Sequence, residues 1–150
     1  MQQNDVNIAH RIAEEHETLR SLREAVASSF ASPPEGDFAN WKLDLVWELR
    51  DFRNALVKHF DLEEDGGFMF DVVDTAPHEK PHVDILESEH AEFIREVDSI
   101  TTDLKGQSDS SIIPGLGERL DTLIARLNEH EELERELIGT VYFQDLGTGD

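Results

Sequence analysis

Residues 45–63 read LVWELRDFRNALVKHFDLE. Leucine and phenylalanine recur along this stretch at alternating spacings of four and three residues, which is typical of a helix with one face against a core. The same stripe then continues into a histidine and a glutamate. Its inward positions are Leu45, Leu49, Phe52, Leu56, His59 and Glu63. Two polar side chains therefore stand where the pattern would place apolar ones.

Three more segments have the same length and composition. Clusters of Pro, Gly, Ser and Asp divide the chain, and the segments between them are rich in Leu, Glu, Ala and Arg, which favour helix. No segment alternates apolar and polar residues as a half-buried strand would. The predicted helices cover residues 6–30, 41–65, 82–105 and 116–143. We therefore predict a single domain over residues 1–150 with an all-α fold, an up-down-up-down antiparallel four-helix bundle.

Each predicted helix places one histidine on its inward stripe. These histidines are His16, His59, His90 and His130. Glu63 and Glu134 follow two of them by four residues, a spacing that puts both side chains on the same face of a helix. The stripe of the first helix is less regular, and it passes through either Leu22 or Arg23.

The helical rise predicts that the four histidines meet. At about 1.5 Å per residue, His59 and His90 both lie about 10 Å from the connector between the second and third helices. Measured from the opposite end of the bundle, the four histidines lie about 20–27 Å along their helices. All four therefore fall within about one helical turn of a common level.

Four imidazoles and two carboxylates inside an apolar bundle are costly unless something satisfies them. A histidine alone would be interpreted as a core residue with a hydrogen-bond partner, but four at one level indicate a metal site. Imidazole suits iron, zinc, copper and nickel, and a carboxylate can bridge two metals about 3.5–4 Å apart.

The remaining candidates are interpreted as structural or surface residues. We expect structural or surface roles for His10, His78 and His82, solvated charges at Glu64, Glu131 and Glu132, and core packing for Phe52, Phe60 and Phe93.

Composition excludes several classes of function. The chain carries 34 Asp and Glu against 13 Lys and Arg, for a net charge of −21, and the basic residues are scattered. Nucleic acids and anionic membrane surfaces are therefore not expected as partners. With no cysteine, the chain has no disulfide, no thiolate zinc site and no cysteine nucleophile. A polar N-terminus and the lack of a long apolar run predict a cytoplasmic protein.

These residues resemble the haemerythrin-like family, also called the HHE cation-binding domain. The most specific element is HFDLEEDGG at 59–67, which is similar to the family signature HFxxEExGG. The sequences EHETLR at 15–20, LESEH at 86–90 and HEELE at 130–134 resemble the motifs of the other three helices. All four motifs occur in order, and the resemblance covers nearly the whole chain.

The resemblance implies a four-helix bundle holding a non-haem di-iron centre. Carried over to this chain, the terminal ligands would be His16, His59, His90 and His130, and the bridging carboxylates Glu63 and Glu134. Two iron ions would be the cofactor, with zinc or another divalent metal as alternatives.

The oxygen-carrying members of the family have a fifth histidine, one turn from the histidine of the third helix. Here positions 86 and 94 are Leu and Ile, so that ligand is absent. The chain is closer to members with four histidines and two glutamates, and the departure could leave a position open to water, oxygen, peroxide or nitric oxide. Alternatively, Glu87, Glu89 or His82 would supply a ligand.

Three hypotheses follow. The first is a di-iron module that binds, stores or senses iron, oxygen or a related small molecule. The second is an oxidoreductase that uses the same centre on peroxide or nitric oxide. The third is a structural zinc or mixed-metal bundle with an interaction role, since zinc prefers four ligands and has no redox chemistry.

Overall fold

The computed structural model describes residues 3–107 and 109–142, with side chains from residue 7 onward. Its four long helices are α1 (Gln3–Ala31), α2 (Phe38–Asp65), α4 (Lys80–Lys105) and α5 (Ile113–Tyr142). A short helix, α3 (Phe68–Thr75), and two 3₁₀ turns, Pro77–Glu79 and Ser110–Ile112, lie in the connections. The described part of the chain contains no strand, so the predicted all-α bundle is confirmed. Residues 1, 2, 108 and 143–150, which the predicted domain includes, lie outside the described residues, as does the end of the predicted helix 116–143.

The four long helices form a closed ring. Along the chain, α1 contacts α2, α2 contacts α4 and α4 contacts α5, and the ring closes where α5 contacts α1. Three of these interfaces join long helices that follow one another in sequence. The fourth, between α5 and α1, has no connector and depends on side chains alone.

The core consists of two apolar layers with a polar layer between them. On α4, Leu86 belongs to one apolar cluster and Phe93 to the other, and His90 lies between them. On α1, Ile12 and Leu19 enclose His16 in the same way. The histidine level is therefore separated from solvent at both ends of the bundle by packed hydrocarbon.

The seam of α4 agrees with the pattern at every position. Its buried residues are Val83, Leu86, His90, Phe93, Val97, Ile100 and Leu104. On α1 the buried residue is Arg23, while Leu22 is only half-buried. At the end of α5 the inward side chain is Tyr142, and Val141 is half-buried beside it.

Helix α3 is the main departure from the sequence analysis, which took this region for a connector. It lays Phe68, Met69 and Val72 onto one end of the bundle, where they join the cluster that contains Leu86. Two turns of helix are too short for a periodic pattern to be distinguished from a loop with apolar residues. The helix thus caps the end nearest to the histidine level.

Two glycines make the turn from α2 into α3. A Cβ atom at Gly66 would lie 2.2 Å from the carbonyl oxygen of Leu62, and Gly67 has a φ of 99°. Only glycine adopts that left-handed conformation without steric cost. The Gly-Gly pair of the HFDLEEDGG motif therefore lets the chain reverse directly after α2.

None of the described helices combines the length and the apolar character needed to cross a membrane.

We expect Gly67→Ala to lower the free energy of unfolding by about 1–2 kcal/mol, because a Cβ atom strains the left-handed backbone. Guanidinium denaturation of the metal-free protein measures the change. Gly36→Ala is the matched control, since a Cβ atom there meets no atom within 4 Å and its φ is not in the left-handed region. Equal stability of the Gly67 variant and wild type would contradict the role assigned to this turn.

Candidate metal centre

The structure brings all six predicted ligands together in the polar layer. His16 lies on α1, His90 on α4, and each of α2 and α5 contributes one histidine and one glutamate. Each of the six is at most 5% exposed, and both glutamates are fully buried. The four helices therefore bring their histidines to one level, as the sequence analysis predicted.

The six side chains form two groups that share a carboxylate. Glu63, His90, His130 and Glu134 make one group, in which the potential ligand atoms lie within 4.8 Å of one another. His16, His59 and Glu134 make the second group by the same measure. Either group has the donor types and the spacing that could hold a cation.

Glu134 faces both groups. Its Oε1 atom accepts a hydrogen bond from Nε2 of His16 at 2.9 Å, and its Oε2 atom lies 3.5 Å from Nε2 of His130. Glu63 is placed similarly, with Oε1 at 3.4 Å from Nε2 of His59 and 3.2 Å from Nε2 of His90. Each carboxylate thus lies between histidines of different helices.

Most of the inward-facing polar atoms have no hydrogen-bond partner. They are Nε2 of His59, His90 and His130, both carboxylate oxygens of Glu63, and Oε2 of Glu134. Buried polar atoms are almost always paired, because an unpaired one costs about 1–3 kcal/mol. A cation in this layer would bind imidazole nitrogens and carboxylate oxygens at once, so the residues present fit a metal.

The electrostatics divide the histidines into two kinds. Burial, together with the imidazoles of His90, His59 and His16, lowers the pKa of His130 to about 2. Burial also lowers the pKa of His90. A neutral imidazole is the form that binds metal, so these two rings are ready to do so.

His59 shows the opposite behaviour. Burial works against its charge, but the carboxylates of Glu134 and Glu15 on either side of the ring outweigh burial and raise the pKa of His59 to about 9. Burial likewise opposes the charge on Glu134, yet His16 and His59 hold the pKa of this carboxyl below its ordinary value. In the metal-free protein, a proton therefore partly neutralises the anionic charge of this half of the layer.

Aromatic rings pack directly on the ligand side chains. Phe60 stacks on His90 with ring centroids 4.0 Å apart, and Phe93 meets His130 edge-on at 5.2 Å. Both phenylalanines are buried in the larger apolar cluster, as core packing predicts. Their rings cover part of the imidazole faces and limit how far the two imidazoles can rotate.

Three glutamates lie on the outer nitrogens of the histidines, a role that the sequence analysis predicted for none of them. Nδ1 of His59 donates to Glu15 at 3.0 Å, Nδ1 of His90 to Glu64 at 2.7 Å, and Nδ1 of His130 to Glu89 at 2.8 Å. Glu64 is exposed as expected, but it is not merely a solvated charge.

None of the three residues weighed as an additional ligand belongs to either group. Glu89 lies on the outer side of His130, Glu87 is exposed, and His82 donates to Glu79 at 2.6 Å on the surface. Of the two positions considered for a fifth histidine, Leu86 is fully buried among apolar residues, and Ile94 is half-buried against the larger apolar cluster. His10 and His78 are exposed, in keeping with their expected surface roles.

The expectation of a solvated charge at Glu131 is wrong. Glu131 is 2% exposed and accepts two hydrogen bonds from Arg23, at 2.8 and 3.3 Å. Arg23 is itself 6% exposed, and it joins α1 to α5 two turns away from His16. Glu132, in contrast, is exposed as expected.

We expect Arg23→Met to destabilise the metal-free protein by about 3–5 kcal/mol, because it leaves the Glu131 carboxylate buried without a partner. Guanidinium unfolding followed by circular dichroism gives the value. The double variant Arg23→Met/Glu131→Leu removes both charges and should recover most of the loss. A double variant as unstable as the single one would show that packing, rather than charge, is what the arginine supplies.

Comparison with known proteins agrees with the geometry. No curated protein and no solved structure matches the chain. The family model described as "Hemerythrin HHE cation binding domain" matches residues 7–142, which include all of the six buried ligand candidates. The chain therefore belongs to the hemerythrin family of HHE cation-binding domains.

Proposed function

We propose that this protein holds two iron ions between the four histidines and two glutamates of the polar layer, and that this di-iron centre binds or senses iron, oxygen or a related small molecule. The observation that carries the proposal is the set of buried, unpartnered nitrogen and oxygen atoms at the centre of the bundle. The proposed ligands are His16, His59, Glu63, His90, His130 and Glu134.

The placement of the carboxylates supports two ions over one. Glu134 directs one oxygen toward His16 and the other toward His130, and Glu63 lies between His59 and His90. A carboxylate shared by two groups of histidines is what a pair of cations requires.

The donor set supports iron. It combines imidazole with carboxylate and contains no thiolate, a mixture that suits iron. Zinc accepts the same donors but has no redox chemistry, so the response of the loaded protein to air distinguishes the two metals. Bound iron supplies redox chemistry and affinity for oxygen, peroxide or nitric oxide. Leu86 supplies no donor atom, so an ion held on that side would keep a coordination position that a small ligand could take.

Binding or sensing is favoured over catalysis by what else is buried. Among the described residues, the buried charged or polar side chains are the six proposed ligands and the Arg23–Glu131 pair. Arg23 and Glu131 are hydrogen-bonded to each other. The other buried titratable side chain in the described part of the chain is Tyr142, whose hydroxyl donates to Asp71 at 3.2 Å, so no further acid or base is placed to move a proton to a substrate.

We expect metal-free protein loaded anaerobically with Fe²⁺ to bind about two iron ions per chain. Admission of air should then produce a near-ultraviolet charge-transfer band. His90→Ala and Glu63→Ala should lose most of the iron, because each removes a donor from the buried layer. Elemental analysis and optical spectra provide the two measurements.

His78→Ala is the control for these variants, because His78 is exposed and lies outside both groups of ligands. It should bind as much iron as wild type. Equal iron content in all three variants would contradict the assigned ligands. Wild-type protein that takes up zinc but no iron, and shows no band, would contradict the di-iron function.

Metal should also stabilise the fold, since it binds the folded layer and finds no such layer in the unfolded chain. At a free metal concentration one hundred times the dissociation constant, the gain is about 2.7 kcal/mol. Thermal unfolding with and without Fe²⁺ under nitrogen measures it, and a chelator should reverse it. A melting temperature that does not respond to iron would contradict binding in the core.

A further inference from the structure

The glutamates on the outer nitrogens follow a rule of position. Glu15 precedes His16, Glu64 follows Glu63, and Glu89 precedes His90. Each is thus the immediate neighbour of an inward ligand on its own helix, yet it holds a histidine of the next helix along the chain. A glutamate of α1 thus accepts from a histidine of α2, one of α2 from a histidine of α4, and one of α4 from a histidine of α5.

Helix geometry explains this arrangement. Adjacent residues on an α-helix are rotated by about 100°, so the neighbour of an inward side chain faces sideways toward an adjacent helix. From there a glutamate reaches the outer edge of an imidazole whose inner nitrogen faces the centre. One residue therefore serves the inside of the layer, and the next serves the ring of another helix.

The series stops at the interface between α5 and α1. On α5 two acidic residues are next to His130: Glu129 is exposed, and Glu131 binds Arg23 instead of His16. Within the described residues, no hydrogen bond joins the outer nitrogen of His16 to a carboxylate, while His59, His90 and His130 each have one. The two groups of ligands are thus supported unequally.

The inner atoms show the same inequality. In the group of His90 and His130, Nε2 of both histidines, both oxygens of Glu63 and Oε2 of Glu134 have no partner. In the other group, Nε2 of His59 also has no partner, but Nε2 of His16 already donates to Oε1 of Glu134 at 2.9 Å. A cation entering beside His16 has to replace this hydrogen bond, whereas one entering between His90 and His130 replaces none.

A carboxylate on the outer nitrogen fixes the imidazole ring and raises its basicity, and the loss of such a partner typically lowers metal affinity by about 10–100-fold. We propose that Glu64 and Glu89 are positioning residues that make the cation position between His90 and His130 the tighter of the two, so that it fills first. Glu15 supports the weaker position through His59. This inference rests on the two-ion centre proposed above.

The test uses Co²⁺ as the probe, added anaerobically to the metal-free full chain and followed by its visible absorption and by calorimetry. Wild type should show two binding steps of unequal affinity. His16→Ala should weaken the second step and leave the first, and His130→Ala should abolish the first. These two variants assign each step to its position.

Each positioning residue is then tested by an alanine variant and a glutamine variant. Glu64→Ala and Glu89→Ala should each weaken the first step by about 10–100-fold. Glu64→Gln and Glu89→Gln keep an acceptor for the histidine N–H and should recover part of that loss, along with the Co²⁺ spectrum. Glu15→Ala should affect only the second step. Glu87→Gln is the matched control, because it removes the same charge from α4 near His90 but accepts no hydrogen bond from a ligand.

The outcomes separate the two proposals. Two binding steps with a first step insensitive to Glu64 and Glu89, or weakened equally by Glu87→Gln, would overturn the inference and leave the two-ion centre in place. Loss of the tight step in His16→Ala would reverse the proposed order and overturn it as well. Wild-type protein that binds one ion or none would overturn both. The glutamine variants retain the side-chain shape. Where an alanine variant fails to fold, a weaker first step in the glutamine variant still supports the inference, and an unchanged first step overturns it.

Discussion

Buried ligand atoms without partners are the constraint on which the rest of this structure depends. Three imidazole nitrogens and three carboxylate oxygens face one another in the middle of the bundle, where they are buried and have no hydrogen-bond partner. Leaving such groups unpaired costs several kcal/mol, and ionised groups cost more. The fold withstands this cost because apolar layers above and below hold the helices at a fixed spacing. The packing of the apolar core therefore offsets the cost of the unpaired polar layer, and a bound cation would reduce that cost.

The fold and the convergence of the six candidate ligands could be predicted because the residues that build them lie on periodic stripes. A helix repeats its inward face about every 3.6 residues, so a histidine such as His90, between Leu86 and Phe93, is recognised by position alone. The level at which the stripes meet follows from the rise per residue, which is the same for every helix. Neither argument needs the contacts between helices.

The residues that escaped prediction are those whose role depends on how two helices are rotated against each other. Glu15, Glu64 and Glu89 lie off the stripes, and on a single helix each looks like an ordinary surface charge. Glu131 finds its partner 108 residues away, at a position where the pattern allowed either Leu22 or Arg23. Helix α3 escaped because two turns of helix carry too little periodic signal, although the Gly-Gly pair before it marked the turn. Adjacency to a predicted ligand is the one signal in the sequence that could have pointed to the outer glutamates.

The place of the Arg23–Glu131 pair follows from the topology of the ring. The other three interfaces join consecutive long helices, and each contains one of the hydrogen bonds between an outer histidine nitrogen and a carboxylate. Helices α5 and α1 are far apart in sequence, so no connector sets their register. A bidentate arginine–carboxylate pair defines distance and orientation more strictly than a single hydrogen bond does. Because Glu134 on α5 and His16 on α1 must meet across this same interface, the ion pair sets the register on which their contact depends. Glu131 thus joins α5 to α1 through Arg23 and does not accept from His16. The difference between the two groups of candidate ligands therefore follows from how the chain is connected.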